Sequence, residues 1–180
     1  MKLAKNLERL GTESAFSILA EAKKLEAQGK EMIHLGLGQP DFKTPQHIMD
    51  AAKKAIDDGH HGYVLANGIL ECRQSVSRKI KSLYKKDISP ERVMIMPGGK
   101  PTMYYAIQMI GEPGAEIVHP TPGFPIYESM INYTGAKAVP YDLTKEKDLK
   151  FDPEKILSLI TDKTRLVILI NPNNPTGSFV

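Results

Sequence analysis

The chain has 180 residues, of which 41% are hydrophobic and 25% charged, and this balance is typical of a soluble globular protein with one sizeable core. The net charge of +3 comes from 24 basic and 21 acidic residues spread along the chain, which argues against nucleic acid or an anionic membrane as the partner. The sequence shows no long apolar run and no signal-peptide pattern, so we expect a cytoplasmic protein without a membrane span.

Cys72 is the one cysteine of the chain, so an internal disulfide framework is excluded. It lies within an amphipathic helical pattern, and no nearby residue would lower the pKa of its thiol. We therefore expect a buried packing residue rather than a nucleophile.

The first half of the chain is mainly helical in its patterning. Apolar spacing predicts helices over residues 14–28, 45–58 and 69–86, the second with Thr44 as its cap and Pro45 as its first residue. A short strand is predicted at Met32–Leu35, and residues 63–68 are expected to be irregular.

From residue 93 onward, predicted strands alternate with predicted helices. The strands are expected at 93–96, 116–119, 136–141 and 166–170, and the helices at 101–110, from about 126 to 133, and at 153–160. Leu166–Ile170 is continuously apolar, as expected for a strand that is covered on both faces. The alternation predicts an α/β fold with a mostly parallel sheet covered by helices.

Gly98, Gly99 and Lys100 follow the first of these predicted strands and precede a helix that we expect to start at Pro101. A helix N-terminus has unpaired N–H groups and a favourable dipole for anions, and glycines let the backbone approach an anion closely. The segment is therefore either a phosphate-binding loop or a plain strand-to-helix turn.

Two common nucleotide sites are excluded by particular residues. A P-loop needs a glycine where Met94 stands and a hydroxyl residue where Pro101 stands. A dinucleotide fingerprint needs a further glycine, and Met103 does not replace it. A phosphate ester on a smaller cofactor remains open.

Unusual segments follow three of the predicted strands: the Gly-Gly-Lys turn, the segment Pro120–Pro125 and the segment Asn171–Gly177. Ligands of open parallel sheets bind beyond the carboxyl ends of the strands. We therefore expect these three segments to converge at one edge of the sheet.

Three stretches carry specific patterns: Gly38–Pro45 has the form Gly-x-Pro-Asp-Phe-x-Thr-Pro, Pro97–Lys100 is the Gly-Gly-Lys turn, and Asn171–Gly177 has the form Asn-Pro-x-Asn-Pro-Thr-Gly. Together they resemble one family, the fold-type I pyridoxal 5′-phosphate (PLP) aminotransferases of the aspartate aminotransferase-like class, in which the second stretch is the phosphate loop. The resemblance runs from about residue 12 to the last residue.

The resemblance implies roles for particular residues. Gly99 and Lys100 match the loop that holds the PLP phosphate, and Gly98 matches a position where a hydroxyl residue often adds a contact that is lost here. Phe124 matches the aromatic residue that stacks on the pyridine ring, although it could be an ordinary core aromatic. Asn174 matches the residue that hydrogen-bonds the phenolic oxygen, and an Asx-turn before Pro175 is compatible with that role.

Two further positions are implied with simpler alternatives. Tyr63 matches a tyrosine that reaches the phosphate of the neighbouring subunit in the family's homodimer, but it could be a surface tyrosine. Gly38 matches a close backbone approach to the substrate carboxylate, but it could be a turn glycine.

The family's Schiff-base lysine, its aspartate beside the pyridine nitrogen and its carboxylate-binding arginine match no position here, and Lys100 belongs to the phosphate loop. The resemblance thus implies residues 1–45 as part of a small domain or arm and 46–180 as an incomplete large domain. We expect a truncated chain that is inactive alone and binds PLP at best non-covalently, with no metal site.

For the parent protein the resemblance implies amino-group transfer between an amino acid and a 2-oxo acid in a homodimer. Two alternatives stay open. One is a non-catalytic PLP-binding or interaction fragment, and the other is a PLP lyase or synthase of the same fold.

Overall fold

The computed structural model describes residues 2–11, 14–36 and 38–179, with the backbone alone for residues 14–16. The helices and strands in chain order are α1 (Ser14–Ala27), α2 (Gln46–Asp57), α3 (Leu70–Tyr84), α4 (Gly99–Ile110), β1 (Glu116–Thr121), α5 (Ile126–Thr134), β2 (Lys137–Asp142), α6 (Pro153–Ser158) and β3 (Thr164–Val167). Short 3₁₀ turns lie at Lys5–Arg9, Pro90–Arg92, Leu143–Lys145 and Lys147–Leu149. Within these described ranges, no helix is both long and apolar enough to cross a membrane.

The chain divides into two compact units. The sheet unit contains the residues up to Met32 and those from Gly98 on, and the helical unit is Ile33–Pro97. The predicted boundary after residue 45 separates domains of the whole family fold, whereas this division separates compact units of the present chain. That boundary therefore stays a prediction.

The sheet unit is built on three parallel strands in the order β2-β1-β3. The pairing of β1 with β2 runs from Glu116 opposite Lys137 to Thr121 opposite Asp142. Parallel strands need crossover connections, and α5 and α6 lie in the two connections here. The predicted α/β fold with a parallel, helix-covered sheet is confirmed.

Alternate side chains of β1 enter two apolar clusters, as the period of a strand requires. Ile117 packs with Ile107 of α4 and with Met130 and Ile131 of α5. Val118 belongs to the second cluster, which also contains Tyr141, Leu143 and Ile156. The central strand is therefore covered on both faces.

The start of the chain is fixed to the end of α5. Arg9 donates from Nε to the carbonyl of Asn132 and from Nη2 to the carbonyl of Tyr133, each at 2.9 Å. Gly135 follows α5 with φ of 86°, a conformation that glycine adopts without a Cβ penalty. The hydrogen bonds from Arg9 thus pair two carbonyls that the C-terminus of a helix leaves unsatisfied.

The helical unit has a different character. Helix α2 is strongly amphipathic, but none of its residues is buried. Arg73 of α3 is the buried residue of this unit within the described part of Ile33–Pro97, and it is 3% exposed. Its guanidinium donates to the carbonyls of Gly68 and Pro90 at 3.1 and 3.0 Å, and contacts the Glu91 carboxylate at 3.3 Å.

Two predicted strands were wrong, at Met32–Leu35 and at Val93–Met96. A strand needs a neighbour to pair with, and β1, β2 and β3 form the sheet of the described residues without these segments. In the second segment the Ile95 amide donates to the carbonyl of Asn67 at 3.1 Å. Val93–Met96 therefore has the composition of a strand but pairs with no neighbouring strand among the described residues.

The predicted burial of Cys72 was also wrong, because the thiol is exposed. The neighbouring Arg73 takes the inward-facing position of α3 instead. The apolar run Leu166–Ile170 is likewise less covered than expected, since β3 ends at Val167 and Leu169 is 61% exposed. The physical reason is that β3 lies at an edge of the described sheet.

The helix starts also differ by one or two residues from the sequence patterns. Helix α2 begins at Gln46, and Pro45 occupies its N-cap position without a side-chain cap. Helix α4 begins at Gly99, so Pro101 is its third residue rather than its first. Proline is tolerated there because the first-turn N–H groups have no intrahelical partner.

Candidate functional site

The N-terminus of α4 is the candidate anion-binding element. Gly98 is its N-cap residue, with φ of 92° and ψ of 169°, a conformation that is essentially restricted to glycine. A Cβ on Gly98 would meet no atom within 4 Å, and one on Gly99 would meet only the Met103 methyl at 3.9 Å. The backbone here faces open space, as a phosphate cradle requires.

Phe124 lies on the loop between β1 and α5 and is half-buried. Lys100 Nζ lies 5.7 Å from the centroid of the Phe124 ring, within the range of a cation–π contact. The ring also meets Tyr127 edge-to-face at a centroid distance of 6.3 Å. The first turn of α4 and the aromatic loop are therefore neighbours.

The segment after β3 reaches the same loop through Asn173, which is 4% exposed. Its Nδ2 donates to Thr176 Oγ1 at 2.9 Å and, in a long bond of 3.4 Å, to the carbonyl of Pro122. The Gly177 amide donates to the carbonyl of Asn173 at 2.8 Å and closes the turn. Asn174, at the tip of this turn, is exposed.

The three segments predicted to converge are linked by contacts, although the first of them follows the unpaired segment Val93–Met96 rather than a strand of the sheet. The N-terminus of α4 contacts the Phe124 loop through Lys100, and the turn that carries Asn174 contacts that loop through Asn173. All three segments belong to the sheet unit.

Tyr63 and Gly38 lie in the helical unit, so each is described separately from this site. The side chain of Tyr63 is fully exposed and lines a cavity of about 630 Å³ with residues of α2, the following loop and the start of α3. Gly38 is exposed, and a Cβ there would meet no atom within 4 Å. The roles of both residues stay predictions.

Two buried side chains near the site were missed by sequence reasoning. Asn173 stands at the variable position of the Asn-Pro-x-Asn-Pro-Thr-Gly pattern, so the motif itself gave it no role. His119 lies in β1, 4% exposed, and the only sequence signal was its place in an apolar strand. Asn173 Oδ1 and His119 Nε2 are both buried without a hydrogen-bond partner in the described structure.

Burial lowers the pKa of the His119 imidazole, while the Glu128 carboxylate and the carbonyl of Pro120 act in the opposite direction. The carbonyl of Pro120 lies 3.3 Å from Nδ1. A buried imidazole of this kind is neutral at neutral pH.

The convergent groups fit an aromatic phosphate ester. A helix N-terminus with open space beside its glycines suits the phosphate, and an aromatic ring one loop away offers a face for a planar ring. The amide of Asn174 offers a hydrogen-bond donor on the third segment. PLP has these three parts: a phosphate, a planar ring and a phenolic oxygen.

The site is open rather than a closed pocket. The first turn of α4 borders a cavity of about 260 Å³, lined by Lys100, Pro101, Tyr104, Ile126, Ser129 and Met130. A larger cavity of about 610 Å³ lies between the Arg9–Gly11 segment and α5, and neither Phe124 nor Asn174 lines it. The candidate site is therefore identified by the chemistry of its groups and not by the size of a cavity.

Comparison with known proteins identifies relatives of this chain among solved structures. Solved structures with a closely similar fold include the aspartate aminotransferase of Thermus thermophilus with maleate, with a TM-score of 0.91 and 29% identity over 99% of this chain and 47% of that one. The alanine aminotransferase of Pyrococcus furiosus gives a TM-score of 0.90 and 31% identity over 99% of this chain and 46% of that one.

Among curated relatives, the aspartate aminotransferase of Bacillus subtilis (strain 168) is 36% identical over 177 residues, which are 98% of this chain and 45% of the relative. The (5-formylfuran-3-yl)methyl phosphate transaminase of Methanocaldococcus jannaschii is 35% identical over 178 residues, or 99% of this chain and 46% of the relative. The chain therefore spans about half the length of the curated relatives that it matches.

The model of the family "Aminotransferase class I and II" matches residues 30–180, which include the glycines of the α4 N-terminus, Phe124 and Asn174. Together with relatives whose similarity covers nearly the whole chain, this match shows that the protein belongs to the class I and II aminotransferase family.

Proposed function

We propose that this chain forms the PLP-holding part of an aminotransferase that moves an amino group between an amino acid and a 2-oxo acid. The observation that carries the proposal is the convergence of three segments within the sheet unit: the α4 N-terminus, the Phe124 loop and the turn with Asn174. Family membership supports the proposed reaction class, and the convergence supports the choice of residues.

Each segment has a distinct task in this proposal. The backbone at Gly98, Gly99 and Lys100 holds the phosphate at the positive end of α4. Phe124 lies against the ring face, and Asn174 donates to the phenolic oxygen. When bound, PLP serves as the electron sink of the reaction, and the protein orients it and tunes its electronics.

The substrates are proposed only as a class. The relatives named above act on different compounds by their names, which include aspartate, alanine and a furan phosphate. Gly38 is proposed to approach the substrate carboxylate. Tyr63, fully exposed on the helical unit, is proposed to reach the phosphate held by a second copy in a homodimer.

A second candidate is a chain that binds PLP without turnover. It is favoured by one observation, namely that no lysine of these 180 residues matches the family's Schiff-base position. We propose that the isolated chain does not transaminate, because the general base and nucleophile of that reaction match none of its residues.

Calorimetry with deoxypyridoxine phosphate tests the site. This probe lacks the aldehyde, so it cannot react with surface lysines. We expect it to bind with micromolar affinity, while deoxypyridoxine without the phosphate does not bind. Binding of neither compound, or equal binding of both, would overturn the assignment of α4 as the phosphate cradle.

A matched pair of glycine variants makes the test specific. Gly98→Ala and Gly114→Ala both place a Cβ on a residue with positive φ (92° and 95°) and with open space around it. Both strain the backbone by about 1–2 kcal/mol. We expect Gly98→Ala to weaken binding of the phosphate probe about tenfold, and Gly114→Ala to leave the affinity unchanged.

A further inference from the structure

We propose that Asn173 is a positioning residue that fixes the Phe124 loop relative to the turn carrying Asn174. The inference rests on the proposed function, because the loop and the turn are there assigned to the ring and the phenolic oxygen of the same cofactor. Asn173 itself stands at the variable position of its motif and is assigned no contact with the cofactor.

The contacts of the carboxamide show how it joins the two segments. Nδ2 carries two hydrogens, and it donates one to Thr176 Oγ1 within the turn and the other to the carbonyl of Pro122, two residues before Phe124. The orientation of the amide is determined by these partners, since a flipped group would place Oδ1 against the Pro122 carbonyl oxygen. One buried side chain therefore spans both segments.

The turn is also held from a second direction. Thr176 Oγ1 lies 2.7 Å from Ser178 Oγ, and Ser178 Oγ donates at 2.7 Å to the carbonyl of Leu149. The hydrogen bonds thus run from the Pro122 carbonyl through Asn173, Thr176 and Ser178 to the loop at Leu149. Asn173 makes the one link in this series that reaches the Phe124 loop.

Because Asn173 Oδ1 is buried without a partner, replacing Asn173 should change the stability of the fold only slightly. A buried acceptor without a partner destabilises the folded state, whereas the two bonds from Nδ2 stabilise it. Asn173→Ala removes both effects, so the unfolding midpoint should change by no more than about 3 °C. The coupling between the loop and the turn should nevertheless be lost.

Amide hydrogen exchange measures the coupling without any ligand. The Tyr127 amide donates to the carbonyl of Phe124 at 3.1 Å and reports on the loop, and the Gly177 amide reports on the turn. We expect Asn173→Ala to raise exchange at both amides, and Thr176→Val to raise it at Gly177 alone. The Ile168 amide, paired with Val118 in the sheet, should not change in either variant.

Asn173→Asp separates hydrogen bonding from packing, because it keeps the shape of the side chain but the ionised carboxylate cannot donate. We expect exchange like that of Asn173→Ala at neutral pH. Wild-type exchange at Tyr127 in either the alanine or the aspartate variant would overturn the proposal, since the bond to Pro122 would then hold nothing in place.

The affinities of two probes distinguish a positioning role of Asn173 from a purely structural one. We expect Asn173→Ala to weaken deoxypyridoxine phosphate about tenfold and to leave inorganic phosphate, which needs only α4, unchanged. Equal weakening of both would contradict a role limited to the ring contacts. If the wild-type chain bound neither probe, the proposed function would fail, and the exchange experiment would still decide whether Asn173 couples the two segments.

Discussion

The two units of this chain are stabilised in different ways. The sheet unit buries two apolar clusters, one on each face of β1, and Ile117, Ile131 and Leu143 have no exposed surface. The helical unit, within its described residues, buries one side chain, the guanidinium-bearing Arg73. Many of its apolar side chains are instead exposed, among them Ile48, Ile56, Tyr63, Leu65 and Leu83.

This difference shows what sequence pattern alone does and does not fix. An amphipathic pattern predicts which face of a helix is apolar, and α2 has such a face. It does not say what will cover that face. In the helical unit, the side chain that is buried among the described residues is an arginine that donates hydrogen bonds to turn carbonyls.

The largest effect is expected when the same substitution is made in both units. Ile117→Ala creates a cavity in a fully buried position and should destabilise the sheet unit by about 3 kcal/mol. Ile56→Ala removes a side chain that is 65% exposed and should change stability by less than about 0.5 kcal/mol. Amide exchange under denaturant measures the free energy of unfolding of each unit in both variants. Equal losses would show that the two units do not differ in how they are stabilised.

Arg73→Met tests the polar centre of the helical unit. The variant keeps an apolar stem but leaves the Gly68 carbonyl without its guanidinium donor and the Pro90 carbonyl with the Val93 amide alone, which should cost about 2 kcal/mol. We expect faster exchange at the Val93 amide, which donates to the carbonyl of Pro90. Glu91→Gln is the control, because the Glu91 side chain is 75% exposed and should matter little.

Helix capping offers a smaller contrast, between α6 and other helices. Asp152 caps α6, accepting a hydrogen bond from the Glu154 amide at 3.0 Å, whereas α2, α3, α4 and α5 begin without a side-chain cap. Asp152→Ala should lower the free energy of unfolding of the sheet unit by about 1 kcal/mol. Asp152→Asn, which keeps an acceptor, should remain near wild type, and a loss like that of alanine would show that charge rather than capping matters.

The smallest expected effect is a pH dependence from His119. Because burial lowers its folded-state pKa, the unfolded state binds more protons as the pH falls below about 6.5. The stability due to the neutral imidazole is complete above that pH and is lost as the pH falls from there through the folded-state pKa.

The measurement is the urea midpoint of the sheet unit between about pH 8 and pH 5, compared with His119→Gln. We expect a shallower slope in the variant across that window. Identical slopes would contradict the inferred shift, since they would mean that Glu128 and the Pro120 carbonyl cancel the effect of burial on the His119 pKa.

Much of the sheet unit was predictable because its pattern and its tertiary contacts agree. The alternation of strands and helices after Gly114, and the helix end at Gly135, followed from local sequence. The segments Met32–Leu35 and Val93–Met96 were mispredicted, since pairing depends on a neighbour that local sequence does not specify. Cys72 was misplaced because its helix buries a charged residue instead.

The candidate site was predictable in its composition but not in its connections. The glycines, Phe124 and Asn174 stand in sequence patterns that suggest a phosphate cofactor. Asn173 was not identified, because burial and a bond across 51 residues leave no local signal. The placement of Tyr63 and Gly38 in a separate unit likewise could not be read from spacing.

The most direct test of the account is to locate the bound phosphate ester on the chain. Amide correlation spectra recorded during titration with deoxypyridoxine phosphate would report each backbone N–H. We predict that the largest shifts fall at Gly98, Gly99 and Lys100, with smaller ones at Phe124 and Asn174. Shifts confined to the helical unit, or none at saturating probe, would contradict the claim that these three segments form a PLP site.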